Sequence, residues 1–154
     1  MKSVTFLILI LATFASCEDS FKSIVFKNCK SKFEVTKVES TCNFQNNKCI
    51  FLQGEEPKIK IHFKATDDVE SLKTGVRARL DGSFVDFHIE NDNICDQPGM
   101  TCPIKKESEQ VYVAAVPIRN EYPAVDVQIN WQLLDTSNDE QVVCIVFLGT
   151  VLKS

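Results

Sequence analysis

The sequence is short of most of the residues from which catalytic chemistry is built. It has two histidines, His62 and His88, each isolated from the other and from any second metal-ligating partner. Cysteines at Cys-x-x-Cys spacing are missing too, so a zinc site has no donor set. No Gly-x-Ser-x-Gly elbow, His-Glu-x-x-His helix, phosphate-cradling glycine loop or dinucleotide fingerprint occurs. Asp67 and Asp68 are adjacent carboxylates, but they lie in a turn signal with no histidine nearby and read as a solvated turn. These absences argue against an enzyme and against any cofactor. Glycine and proline are scarce, five of each, and no repeat, linker or low-complexity tract divides the chain. Basic residues are outnumbered 17 to 21, for a formal net charge of −4, which excludes a nucleic-acid backbone as the main partner. Past the first residues the longest apolar run is 142–148, too short for a transmembrane segment.

What is present begins with a leader. Lys2 supplies one positive charge, residues 6–12 are apolar throughout, and Ala15, Ser16 and Cys17 precede the acidic Glu18-Asp19. This is the pattern of a secretory signal peptide over residues 1–17, cut after Cys17 or, alternatively, after Ala15. A single domain over residues 18–154 remains, expected to be secreted, extracellular and monomeric. Loss of Lys2 takes its net charge to −5 from the −4 of the full chain. Without Cys17, six cysteines are left: Cys29, Cys42, Cys49, Cys95, Cys102 and Cys144. An even number in an exported chain indicates three disulfides, although fifteen pairings are possible. Spacing suggests Cys42 with Cys49 around a polar turn, and Cys95 with Cys102 around Pro98-Gly99, leaving Cys29 and Cys144.

The recurring pattern is period two. Ile59, Ile61 and Phe63 alternate with Lys58, Lys60, His62 and Lys64; Val76, Ala78 and Leu80 alternate with Arg77 and Arg79. Val85, Phe87 and Ile89 alternate with Asp86 and His88, and Val127, Ile129, Trp131 and Leu133 alternate with Gln128, Asn130 and Gln132. Side chains on a strand point to opposite faces in turn, so each segment is a strand with one apolar and one wet face. Residues 21–27, 33–39, 49–53, 110–118 and 142–152 are further strand candidates, and no segment carries a sustained helical stripe. About eight strands of this kind predict an all-β antiparallel sandwich or barrel. His62 and His88 are expected on outer faces, and the lysines at 58–64 form a basic stripe on a wet face. Periodicity does not distinguish a filled core from a hollow one; eleven Phe and one Trp could serve either.

The C-terminal half adds specific runs: Cys102-Pro103-Ile104, Asn120-Glu121-Tyr122-Pro123, Trp131-Gln132-Leu133 and then Cys144. In this order, with six placed cysteines, they resemble the ML lipid-recognition domain family, and within it the small soluble Niemann–Pick type C (second protein) sterol carriers and secreted insect relatives. The resemblance spans residues 18–154 and is strongest from Cys95 onward. It implies an immunoglobulin-like sandwich of two antiparallel sheets enclosing an apolar cavity, with bridges Cys29–Cys144, Cys42–Cys49 and Cys95–Cys102. It also implies that the cavity binds a fatty acid, sterol or hydrophobic semiochemical.

Under this resemblance the ligand-binding mouth is Phe87, Ile118 and Tyr122. The cavity wall is Ile61, Phe63, Val76, Val85, Ile89, Val111, Val113, Val127, Ile129, Trp131, Leu133 and Val146. Lys64 and Arg119 are the candidate headgroup contacts. Sterol-carrying relatives have an aromatic directly after the last cysteine, where this chain has Ile145, and a His-Gly pair and a proline-rich mouth loop, where it has Arg79-Leu80-Asp81-Gly82 and Asp86-Phe87-His88. No Asn-x-Ser/Thr sequon occurs. The expected function is therefore a secreted lipid carrier of the insect type; the alternative is a lipid-presenting co-receptor with a membrane receptor or acceptor protein as partner.

Overall fold

A computed structural model describes residues 19–154. The signal peptide expected at residues 1–17 lies outside them. Eleven strands make two sheets, and no α-helix occurs among the described residues; the single helical element is a 3-10 turn, Ile94–Asp96. The first sheet has the order β1-β3-β6-β9, from Lys22–Ser23, Glu34–Ser40, Lys58–Lys64 and Glu109–Ala115. The second has the order β4-β5-β11-β10-β7-β8, from Asn43–Gln45, Lys48–Leu52, Gln141–Leu152, Asp126–Asp135, Leu72–Leu80 and Ser83–Phe87. Strand β2, Lys27–Asn28, also pairs with β11. The pairings are antiparallel except that β5 runs parallel to β11.

The strand expected at residues 21–27 is two short pairings instead. Lys22–Ser23 pairs with β3, and Lys27–Asn28 pairs with β11 in the opposite sheet. The chain crosses between sheets at Ile24, which is buried and donates its N–H to the Val38 carbonyl at 3.1 Å. Strand β8 stops at Phe87 and β9 at Ala115, so Ile89 and Ile118 belong to the loops that follow them.

Alternation fixes which face of β6 is inward. Ile59, Ile61 and Phe63 are buried, whereas Lys58, Lys60, His62 and Lys64 form the outer row. That outer row is neutralised or covered. Lys58 Nζ lies 2.6 Å from Asp19, His62 Nε2 lies 2.7 Å from Glu39, and Lys64 Nζ lies 2.7 Å from Glu107. Lys60 Nζ sits 3.8 Å above the Phe21 ring. The Lys37 ammonium hydrogen-bonds Glu39 and holds its carboxyl below the usual range.

Directly paired residues on adjacent strands share a face, so β6 decides the parity of β9. Ile61 pairs with Tyr112, which sends Tyr112 inward, and Lys60 and His62 pair with Val113 and Val111. Val111 and Val113 therefore lie on the outer face, against the expectation that they line the interior. Both sets of side chains on β9 are apolar enough to bury, and the neighbouring strand breaks the tie. The same holds for β11, where Val146 faces out opposite Asn130 while Ile145 and Phe147 are buried.

One end of the sandwich is solid. Phe33 and Phe63 stack with ring centroids 5.9 Å apart, and Ile61, Leu72, Leu133, Ile94 and Ile104 fill the space around them with no more than 2% exposure. The 3-10 turn and the Cys95–Cys102 bridge cap this end, where Val69 and Ile104 exchange backbone hydrogen bonds. The other two bridges, Cys42–Cys49 and Cys29–Cys144, are also formed. Cys29–Cys144 closes a loop with a sequence separation of 115.

Candidate functional site

The opposite end of the sandwich is hollow. A cavity of about 350 Å³ opens between the sheets. Its walls come from the other ends of the same strands: Ile59 of β6, Val76, Ala78 and Leu80 of β7, Val127, Ile129 and Trp131 of β10, and Phe147 and Val151 of β11. Trp131 forms the boundary with the solid end. Its ring lies 6.2 Å from that of Tyr112, whose hydroxyl and the Thr74 hydroxyl share a buried hydrogen bond of 2.7 Å. Burial pushes the Tyr112 hydroxyl up to about 12, with the Thr74 hydrogen bond opposing the rise. Trp131 Nε1 is buried without a hydrogen-bond partner among the described residues.

Phe87 lines the cavity from the end of β8, and Ile118 and Tyr122 line it from the segment after β9. Phe87 meets Tyr122 edge to face, with ring centroids 4.9 Å apart and planes at 60°. These two groups are held differently. The Tyr122 side is fastened to the loop between β5 and β6. There Gly54 N donates to Ile118 O at 2.6 Å, Ile118 N donates to Glu55 O at 2.9 Å, and Gln53 Nε2 donates to Tyr122 O at 2.7 Å. Gly54 sits at φ +87°, a conformation that a side chain would strain. Phe87, by contrast, ends β8, which among the described residues is an edge strand paired with β7 alone.

Gly149 shapes the wall from behind. A Cβ on it would lie 2.5 Å from the Phe51 ring, so the missing side chain lets Phe51 pack flat across β11. Phe51 is then one of the lining aromatics.

Of the residues expected at the site, Phe87, Ile118, Tyr122, Val76, Val85, Val127, Ile129 and Trp131 border the cavity. Ile61, Phe63 and Leu133 are packed into the solid end instead, because the cavity does not run the length of the strands. Ile89 lies beyond β8 beside a smaller surface groove with Glu90 and Asn91, and Val111, Val113 and Val146 face outward. Lys64 is at the far end of β6 and engaged with Glu107; the lysine that borders the cavity is Lys58. Arg119 is exposed between Ile118 and Tyr122 and does not line the interior. His88 borders the cavity although alternation placed it outside, since the strand ends one residue before it. Phe51, Phe147 and Val151 were missed: β11 is apolar on both faces over 142–148, and only its pairing with β10 shows which side is inward.

A two-sheet, disulfide-bridged sandwich with an apolar hollow lined in part by aromatic rings defines a class of small β proteins built around an internal cavity. The family model of the ML domain matches residues 23–150, and the chain belongs to that family. The Caenorhabditis elegans protein heh-1 is 37% identical over 158 residues, covering 98% of this chain and 99% of its own. The NPC intracellular cholesterol transporter 2 of Bos taurus is 30% identical over 136 residues, covering 88% of both chains. Among solved structures, a Niemann-Pick type C2 protein from Japanese carpenter ant superposes with a TM-score of 0.76 at 24% identity, over 84% of this chain and 100% of that one.

Proposed function

We propose that the protein is a secreted carrier that holds one hydrophobic ligand in the cavity between its sheets. The apolar hollow carries this reading, and it is supported by the chain's likeness to the bovine cholesterol transporter. A methylene group is close in size to a water molecule, about 30 Å³, so 350 Å³ accommodates roughly a dozen such groups. At about 0.8 kcal/mol per buried methylene the gain is about 10 kcal/mol, which leaves micromolar affinity after the cost of ordering the ligand. An acyl chain of about a dozen carbons fits the cavity as it stands; a sterol, with about twice as many carbons, requires the cavity itself to expand. Phe87, Ile118 and Tyr122 frame the entrance, and selectivity is set by length and girth because the walls offer almost no directional groups. Export is supported by the leader-like residues 1–17 and by three disulfides, which persist in oxidising compartments. No helix among the described residues is long and apolar enough to cross a membrane.

The test is titration of delipidated protein with the neutral fluorophore N-phenyl-1-naphthylamine, followed by displacement with dodecanol. One saturable site per chain is expected, and absence of saturable uptake rejects the proposal. Mass spectrometry of lipids extracted from natively purified protein identifies the natural guest.

A further inference from the structure

We infer that Trp131 is the length stop of the cavity, held by a tie between the sheets, and that it discriminates single-chain amphiphiles at about twelve carbons. This rests on the carrier function proposed above and specifies how its ligand is selected. The strand register fixes where the hollow ends. On β10 the inward residues Val127, Ile129 and Trp131 line it, and Leu133, the next in that row, does not. On β7 Ala78 and Val76, the partners of Ile129 and Trp131, line it, and Thr74, the partner of Leu133, does not. On β6 Ile59 lines it and Ile61 does not. The three strands stop contributing at one level.

That level is closed by a contact across the sandwich. Ile61 pairs with Tyr112 on β9, which places Tyr112 at the same level of the first sheet. Tyr112 then reaches the second sheet: its hydroxyl and that of Thr74 share a hydrogen bond of 2.7 Å, and its ring lies 6.2 Å from that of Trp131. Tyr112 and Trp131 are each 1% exposed, and Ile61 and Leu133 are fully buried. The indole therefore has the hollow on one side and a hydrogen-bonded tie in a close-packed core on the other. For an aliphatic chain to pass this floor, a buried hydrogen bond must break and packed side chains must move aside. Each carbon accommodated short of the floor adds about fourfold to affinity, whereas carbons beyond the limit stay in water and add nothing. Trp131 is also the chain's one tryptophan, so the floor carries its own fluorescent reporter.

The experiment displaces N-phenyl-1-naphthylamine from delipidated protein with n-alkanols of about eight to sixteen carbons. Affinity should climb about fourfold per carbon up to about twelve and then level off. Trp131→Leu should move that break outward by about two carbons. Leu133→Ala opens space behind the tie, so it should lower stability and leave the break where it was. Tyr112→Phe keeps the ring and removes the hydrogen bond, so tetradecanol should gain severalfold relative to dodecanol. In the natural chain 12-bromododecanol, whose bromine reaches the floor, should quench the tryptophan severalfold more than 2-bromododecanol does. An unmoved break in folded Trp131→Leu overturns the inference, as does an equal shift in Leu133→Ala, an unchanged profile in Tyr112→Phe, or equal quenching by the two bromides. If Trp131→Leu does not fold, the bromide comparison on the natural chain decides. Displacement by no alkanol of any length rejects the carrier function itself.

Discussion

The two ends of this sandwich are made from the same strands and differ in what those strands carry. Strand β6 contributes Phe63 to the solid end and Ile59 to the hollow one; β10 contributes Leu133 and then Val127 and Ile129. At the solid end aromatic rings from neighbouring strands meet, as Phe33 meets Phe63, and a disulfide-capped turn closes the gap between sheets. At the hollow end β7 offers Ala78, β11 offers Gly149, and the Phe87 and Tyr122 rings meet each other edge to face beside the cavity instead of filling it. The cavity is thus a matter of where bulk is placed along each strand. Folding energy is concentrated at one end so that the other can remain unfilled, since an empty apolar volume forfeits the contacts a packed core would make.

Substitutions separate the two ends. Phe63→Ala is expected to cost about 4 kcal/mol of stability, read by urea denaturation, with little change in ligand affinity for the folded fraction. If affinity collapses in step with stability, the ends are not independent. Tyr112 gives a pH counterpart. Its hydroxyl is pushed up to about 12 by burial, while an unfolded tyrosine ionises near pH 10. Its contribution is therefore complete below about pH 10 and is lost as pH rises toward 12. The expected loss is on the order of 2 kcal/mol, and Tyr112→Phe should remove that part of the alkaline decline in denaturation curves.

At the hollow end the signs reverse. Tyr122→Ala should weaken dodecanol binding about tenfold while costing only about 1 kcal/mol of stability, the order of magnitude of one edge-to-face aromatic pair. Measuring both on one preparation sharpens the contrast with Phe63. The smallest effect is expected from Gly149→Ala. The new methyl group pushes the Phe51 ring toward the cavity, so the longest-chain alcohols should lose affinity severalfold before shorter ones do. Uniform loss across chain lengths would show that Phe51 does not limit the cavity.

Much of the fold was legible in the sequence wherever lysine or arginine alternates with apolar residues. Strands β6 and β7 carry that alternation, and the inward set at Ile59, Ile61, Phe63, Val76 and Ala78 follows from it. Legibility fails where both faces of a strand are apolar. On β9 the choice between Tyr112 and Val113, and on β11 the choice between Phe147 and Val146, is made by the partner strand. It fails again where a strand ends, which is why His88 and Ile89 depart from their expected faces. Ile118 and Tyr122 were legible through family resemblance alone, because loops carry no period. Where along a strand the cavity stops depends on bulk contributed by several strands at once, which misplaced Ile61, Phe63 and Leu133.

The bridge from Cys29 to Cys144 has a bearing on how the protein withstands proteolysis. It makes nearly the whole domain a covalent ring, so a protease that severs any one peptide bond between those two residues leaves every fragment still attached. A nicked molecule can keep its two sheets in register and its cavity intact, and a second cut is needed before any piece of that ring can diffuse away.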